Sequence, residues 1–259
     1  MFWSIHATKG GVGTSVVSAS LALELALREP WSARHGVVLV DFGGDQPDML
    51  GVDASDRHGV VDWLTSSEPV ELAALESLLV PVLPGLSLLP AGRGALPTEV
   101  GSVDPGRIAE MVQGLGELGT VVADLGVVRS QATSPRALIG TASDRRTLVL
   151  RPCYLALRRA TQVPITLDTV VEICEDGRAL RTLDVEAVVG TAVTARLRVN
   201  PAIARSVDSG TLVSKRPRAL RRFVADLLHE YSSENVPIGF ERSGHREMFG
   251  SRHEVVESW

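Results

Sequence analysis

The sequence predicts an α/β protein built on a doubly wound, mainly parallel sheet with helices on both faces. Three observations support this prediction. Short apolar segments alternate with segments of helical periodicity, which is the pattern of parallel strands buried on both faces. The first apolar segment runs into a glycine-rich turn and then a helix. Two later segments end in an aspartate, at the sheet edge where ligands bind in open α/β folds.

The individual elements follow from apolar periodicity and from turn residues. Strands are predicted at residues 2–7, 36–41, 86–92, 120–126, 146–152 and 185–193. Helices are predicted at residues 15–28, 59–66, 70–79, 104–117, 135–142, 154–173, 201–207 and 217–231. No repeat or linker divides the chain, so we expect one domain over residues 1–231 and a polar tail over residues 232–259.

The composition is that of a globular protein, with 259 residues of which 44% are hydrophobic and 22% charged. Met1 leads straight into the first strand, and no apolar run approaches the roughly 20 residues that span a bilayer. We therefore expect a cytoplasmic protein. Cys153 and Cys174 lack the spacing of a zinc site or a disulfide framework.

The glycine-rich turn, HATKGGVGTS, predicts a phosphate-binding loop. Gly10, Gly11 and Gly13 let the backbone aim its amides at an anion, and the helix that follows adds its positive N-terminal end. A tight turn with Ser15 as a helix cap is the simpler alternative. The lysine that usually precedes the Ser/Thr of such a loop is replaced by Thr14, whereas Lys9, one of only two lysines, opens the loop.

Six segments in this order resemble the ParA/MinD family of deviant-Walker-A P-loop ATPases, within the wider signal-recognition/MinD/BioD class. They are TKGGVG, VVLVDFGGD, GLSLLPAG, TVVADLG, LVLRPCYLALRRA and the stretch from Asn200 through SVDSGTLVSKRPRALRRFVADL. The resemblance covers most of residues 1–231 and implies a P-loop NTPase fold. It further implies a nucleotide-dependent homodimer that positions a cellular cargo such as a chromosome, a septum or pilus machinery. The sequence identifies neither the cargo nor an adaptor protein.

The resemblance also implies the site residues, with ATP and Mg²⁺ as cofactors. Phosphate binding falls to the loop, namely Gly10, Gly11, Val12, Gly13, Thr14 and Ser15. Lys9 would reach the nucleotide across the dimer interface. Asp41 and Asp124 would orient water or, together with Ser15, hold Mg²⁺. Without the resemblance, both aspartates could simply be strand-end acids that accept backbone hydrogen bonds.

Three departures from the family pattern leave the activity open. Thr14 is neutral, so ATP hydrolysis is expected to be weak or lost. The second segment reads DFGGD, and whether Asp45 replaces the usual second acid is undecided. No residue could be assigned to adenine. A hydrolysis-deficient interaction scaffold that keeps the fold is therefore the alternative function.

A basic region between Arg196 and Arg222 suggests a further partner. It contains eight cations and one acid: Arg196, Arg198, Arg205, Lys215, Arg216, Arg218, Arg221 and Arg222, with Asp208. Such a region could bind DNA through its phosphates, or it could be a solvated helix surface. The C-terminal tail lacks a sustained apolar face, so membrane binding is not expected.

Overall fold

One eight-stranded sheet runs through the part of the chain that the computed structural model describes, residues 1–28, 35–67, 71–97 and 102–233. Its strands are β1 (Phe2–Ala7), β2 (Val37–Asp41), β3 (Val80–Leu83), β4 (Leu86–Leu89), β5 (Thr120–Val127), β6 (Arg145–Leu150), β7 (Thr169–Cys174) and β8 (Val193–Arg198). They lie in the order β3-β4-β2-β5-β1-β6-β7-β8. Strand β3 pairs antiparallel with β4, and the other pairs are parallel. The predicted doubly wound α/β fold is confirmed.

Helices cover both faces of this sheet. They are α1 (Thr14–Arg28), α2 (Gln46–Leu50), α3 (Val60–Thr65), α4 (Leu72–Ser77), α5 (Pro105–Leu118), α6 (Pro135–Ala142), α7 (Tyr154–Ala160), α8 (Thr182–Val189), α9 (Pro201–Asp208) and α10 (Arg218–Ser233). Apolar residues of α1, α2, α9 and α10 form one core with one face of the sheet. Those of α3 to α8 form the cores on the other face.

Two predicted elements near the C-terminal half are wrong. The predicted helix 154–173 is the short α7 followed by β7, because the chain leaves the helix well before Pro164 and the TVVEIC segment pairs with β6. The predicted strand 185–193 is mostly α8. Its β-branched residues suggest a strand, but the Asp184 carboxylate caps the Arg181 amide at 2.7 Å and Gly190 ends the helix at φ +73°.

Strand β8 and two shorter elements were also not predicted from the sequence. Strand β3 is only four residues long and contains Pro81, and α2 forms in a segment for which no helix or strand was predicted. The predicted tail falls almost entirely outside the described residues, and the single-domain prediction stays a prediction. Within the described ranges no helix has the length and apolar character to span a membrane.

Strand β1 has a central place in the sheet, between β5 and β6. The chain therefore leaves β1 for the glycine loop at the middle of the sheet's carboxyl edge. Strands β2 and β5 end beside it, with Asp41 and Asp124 in direct register. The topology thus brings the loop and both strand-end acids to one crevice.

Candidate nucleotide-binding site

The glycine loop joins the end of β1 to the first turn of α1. Gly11 has φ +73° and Gly13 has φ +95°, a left-handed conformation that glycine adopts without the strain of a side chain. The Gly13 carbonyl accepts the Val17 amide at 3.0 Å, which places Gly13 at the entry to the helix. The first amides of α1 have no partner within the helix, and together with the helix dipole they favour an anion.

The structure gives the loop side chains different surroundings. Lys9 is exposed. The Val12 side chain is buried in the core with α1, so any contact of Val12 with a nucleotide would be made by its backbone. Thr14 is buried at the start of α1, and Ser15 is half-buried. The loop is therefore anchored by Val12 and open at Lys9.

A hydrogen-bond network centred on Asp124 lies at the base of the loop. The Gln46 side-chain amide donates to the Asp124 carboxylate at 2.8 Å and to the Ser15 carbonyl at 3.0 Å. The Ser15 side chain lies close enough to this carboxylate to lower its pKa. The Gly126 amide donates to its second oxygen at 3.1 Å. The start of α1, the loop after β2 and the end of β5 are thereby tied together.

Asp41 is committed to the backbone of its own loop. One carboxylate oxygen accepts the amides of Gly43 and Gly44 at 2.8 and 2.7 Å, and the other accepts the Gln46 amide at 3.0 Å. This is the structural alternative that the sequence left open for a strand-end acid. Asp41 shapes the turn that carries Gln46, whereas Asp124 is linked to the start of α1 through the Gln46 side chain.

Both carboxyls are fully buried, and this changes their acidity. Burial and then the charge of Asp124 raise the pKa of Asp41 to about 6, against the opposing effect of its three backbone hydrogen bonds. Burial likewise raises the pKa of Asp124, although hydrogen bonds from Ser15 and Gln46 favour its ionised form. Two neighbouring buried carboxylates repel each other, so a cation bound between them would be stabilising.

The donor set suits magnesium. The Ser15 hydroxyl, the Asp124 carboxylate and Oε1 of Gln46 are oxygen ligands, which Mg²⁺ prefers. Oε1 of Gln46 is buried and has no hydrogen-bond partner among the described residues. No cluster of three His, Cys, Asp or Glu residues occurs in those same ranges. A protein Mg²⁺ site typically needs only one or two carboxylates, because phosphate oxygens and waters complete it.

Three residues of this region were not singled out by the sequence analysis. Gln46 follows DFGGD directly, and its side chain, rather than that of the exposed Asp45, enters the network. A single glutamine after a glycine-rich turn gives no sequence pattern that would have revealed this. Arg136 is the second missed residue. It donates to the carbonyls of Leu125 and Phe42, both at 2.9 Å, and so clamps the ends of β5 and β2.

His6 is the third missed residue, and it lies on β1 close before the loop. Its ring is fully buried, and neither ring nitrogen has a hydrogen-bond partner among the described residues. Burial lowers the pKa of His6 to about 4, so the ring is neutral at physiological pH. An apolar strand would have suggested its burial, but the missing partner shows only in three dimensions.

A cavity of about 400 Å³ lies to one side of the loop, at the carboxyl ends of β6, β7 and β8. Pro152, Glu172 and Cys174 contribute to its lining. Its volume is within the range of small-molecule sites. Because β6, β7 and β8 run parallel to β1, the cavity and the loop share one edge of the sheet.

Solved structures with this architecture include ParA, MinD and McdA proteins. A ParA family ATPase from Chlorobium tepidum TLS superimposes with a TM-score of 0.65 at 21% identity, over 88% of this chain and 98% of that one. MinD of Pyrococcus horikoshii OT3, the septum site-determining protein complexed with Mg-ADP, gives 0.67 at 18% identity, over 90% and 97%. A Cyanothece McdA variant in complex with ATP gives 0.65 at 11% identity, over 89% and 96%.

The chain has the fold of the ParA and MinD ATPases. This finding comes from structure alone, since no protein-family profile and no curated protein matches the sequence. In this ParA/MinD fold the glycine loop, Asp41 and Asp124 lie together at the carboxyl edge of the sheet. Their catalytic and metal-binding roles stay predictions.

Only some cations of the basic region in this ParA/MinD fold are free of acidic partners among the described residues and so available to bind DNA phosphates. Arg196 pairs with Glu172 and Arg216 pairs with Glu24. Arg198 lies 3.3 Å from the exposed Asp176. The other five cations are exposed around α9 and α10: Arg205, Lys215, Arg218, Arg221 and Arg222. DNA binding by this region stays a prediction, with these five residues as its candidates.

Proposed function

We propose that this chain is a magnesium-dependent, nucleotide-binding switch of the ParA/MinD type, which dimerises with ATP and positions a cellular cargo. The observation that carries the proposal is the glycine loop at the start of α1. Gly11 and Gly13 adopt φ values that favour glycine, and the loop lies directly above the buried Ser15–Gln46–Asp124 network. If the turn served only to connect β1 with α1, there would be no reason for Oε1 of Gln46 to be buried beneath it without a hydrogen-bond partner among the described residues.

Each part of the site has a role in this proposal. The backbone amides of the loop and of the first turn of α1 bind the phosphates. Ser15, Gln46 and Asp124 hold Mg²⁺ directly or through its waters. The exposed Lys9 reaches the nucleotide of a second copy. The cavity that Pro152, Glu172 and Cys174 help to line receives the base.

The positioning role rests on the proteins that share the fold. They include a ParA family ATPase, a septum site-determining MinD and McdA. One MinD structure from Aquifex aeolicus is a complex with MinC. An adaptor or cargo protein is therefore proposed for this chain as well, and ATP and ADP must give dimers of different stability for the switch to work.

A second candidate function, a hydrolysis-deficient scaffold, is favoured by two specific observations. Thr14 provides no positive charge, and a charge-assisted hydrogen bond contributes about 1.5–3 kcal/mol. Asp41 already accepts three backbone hydrogen bonds, which leaves its carboxylate little capacity to orient water. In this alternative the nucleotide site supports assembly, without turnover.

The proposal is tested by calorimetric titration with ATP and ADP, each with Mg²⁺ and with a chelator. We expect binding that requires Mg²⁺, and a mass increase with ATP in light scattering. Gly13→Ala should abolish or strongly weaken binding, because alanine is strained at φ +95°. Gly190→Ala, at φ +73° in open space at the end of α8, is the matched control and should bind normally.

The outcomes separate the two functions. Absence of nucleotide binding by the wild-type chain would overturn both. Binding with measurable phosphate release supports the switch. Binding without release, with a dimer that persists in ADP, supports the scaffold. Restored release in Thr14→Lys would then locate the defect in the loop.

A further inference from the structure

The segment that follows β6 contacts the glycine loop from the neighbouring strand. Nη2 of Arg151 donates to the Gly11 carbonyl at 3.3 Å, and Arg159 makes a longer contact of 3.5 Å with the Thr8 carbonyl. The Thr8 hydroxyl in turn donates to the Ala156 carbonyl at 3.0 Å. Because β6 pairs in parallel with β1, Arg151 leaves its strand at the same sheet edge as the loop.

The Arg151 guanidinium is only partly satisfied by these contacts. Its Nε is buried and has no hydrogen-bond partner among the described residues. Nη1 lies 3.7 Å from the Glu175 carboxylate, and the two side chains are 30% and 38% exposed. Glu175 makes a closer pair with Arg178. A half-exposed ion pair at this distance is weak, so a stronger anion can displace it.

The loop itself is short of positive charge. From Thr8 to Ser15 its one cationic side chain is Lys9, because Thr14 stands where the ordinary loop has its phosphate-binding lysine. An arginine suits the same task, since its planar fork of donors matches the oxygens of a phosphate. Arg151 already lies at Gly11, in the middle of this loop, and its Nη1 has only the long contact with Glu175.

We propose that Arg151 supplies, from the end of β6, the phosphate-binding charge that Thr14 lacks. The inference rests on the proposed nucleotide-binding function and adds a residue to that site. Glu175 holds the guanidinium beside the loop, and a nucleotide phosphate takes its place as the partner. The positive charge that position 14 of the loop lacks is thus provided by Arg151 at the end of β6.

The test is a calorimetric titration of Mg-ATP into the wild-type chain and into three variants, Arg151→Ala, Thr14→Lys and the double substitution. We expect Arg151→Ala to weaken ATP binding by about tenfold or more, the loss that corresponds to one charge-assisted hydrogen bond. Thr14→Lys should restore the affinity in the Arg151→Ala background. Arg158→Ala, an exposed arginine on the same segment, is the matched control and should leave the affinity unchanged.

The possible results distinguish this inference from the function on which it rests. If the wild-type chain binds ATP and Arg151→Ala binds it equally well, the inference is overturned and the nucleotide-binding function stands. If binding weakens but Thr14→Lys does not restore it, Arg151 only positions the loop, and the charge replacement is overturned. If the wild-type chain binds no ATP, both fail. Thermal unfolding of the nucleotide-free variants, with Arg151→Gln as a second neutral substitution, separates these effects from misfolding.

Discussion

Titratable side chains at the central strands of the sheet and on the outermost strand β8 differ in solvent exposure. At the carboxyl ends of β1, β2 and β5, His6, Asp41 and Asp124 are fully buried. On the outer strand β8, Arg198 is 79% exposed, and its partner Asp176 is 98% exposed. The titratable groups at the centre are withheld from water, whereas the Arg198–Asp176 pair on β8 is hydrated.

This difference has an energetic consequence. A buried titratable group couples its protonation to folding, because its pKa differs between the folded and unfolded chain. An exposed ion pair gains little, because water and salt screen it. At the centre, the buried carboxylates of Asp41 and Asp124 are unfavourable when ionised, and a bound cation would stabilise them. This is the behaviour expected of a binding site. The following predictions test the contrast, starting with the largest expected effect.

Replacing Arg136 should give the largest loss of stability. Its guanidinium donates to the carbonyls of Leu125 and Phe42 at 2.9 Å, and it opposes the charge of Asp124. Since hydrogen bonds to a charged group contribute about 1.5–3 kcal/mol each, we expect Arg136→Ala to lower the free energy of unfolding by about 4 kcal/mol. Urea denaturation at pH 7 measures it. The exposed Arg129→Ala is the control, and a loss for Arg136→Ala no larger than for Arg129→Ala would contradict the clamp.

His6 should make the protein less stable in acid. Its pKa falls from 6.5 in the unfolded chain to about 4 in the folded one. The unfolded chain therefore binds the proton more readily, and the stability present above pH 6.5 is lost as the pH falls toward 4. At about 1.4 kcal/mol per tenfold change in proton affinity, the loss is about 3 kcal/mol.

The measurement compares the wild type with His6→Leu in urea denaturation across this pH range. The difference in unfolding free energy between the two should change with pH. His229→Ala, which removes an exposed ring, should not change the profile. A constant difference between wild type and His6→Leu would mean that the ring finds a partner or water in solution.

Asp41 should give the opposite trend. Its pKa rises from 3.8 to about 6 on folding, so its contribution to stability is present below pH 3.8 and is lost as the pH rises through 6. The change is about 3 kcal/mol. In the wild type this trend largely cancels that of His6 between about pH 4 and 6. Asp41→Asn should remove this trend and so change how the free energy of unfolding depends on pH. Asp48→Asn, at an exposed position, is the control and should leave that dependence unchanged. Parallel pH profiles for Asp41→Asn and wild type would contradict the prediction.

The sequence predicted the centre of the sheet well for a physical reason. Strands β1, β2 and β5 are buried on both faces, so they are almost continuously apolar; β1 ends at the loop, β2 ends at Asp41, and β5 continues for three residues past Asp124. That pattern gives the strand, its end and the candidate ligand together. Most of the predicted helices also correspond closely to observed ones, because capping residues or prolines mark where they start.

The outer strands and the details of the site were beyond the sequence. Strand β7 carries the charged Glu172, and β8 alternates exposed arginines with buried residues, so neither is a continuous apolar run. The positions of Gln46 and Arg151 depend on contacts with residues 78 and 140 positions away in the chain. Local patterns contain no record of such contacts. Thr14 could be recognised as a departure, but its compensation could not.

The smallest expected effect lies within the outer strand β8 itself. Arg196 and Arg198 are both exposed, yet Arg196 is 3.5 Å from Glu172, which is only 5% exposed, and Arg198 pairs with the exposed Asp176. Arg196→Ala leaves a buried carboxylate without its cation and should cost about 1–2 kcal/mol. Arg198→Ala should stay within about 0.5 kcal/mol of zero. Thermal and urea unfolding of the two variants side by side measure the difference, and equal losses would show that position in the sheet, rather than burial of the acid, governs the energy of these charges.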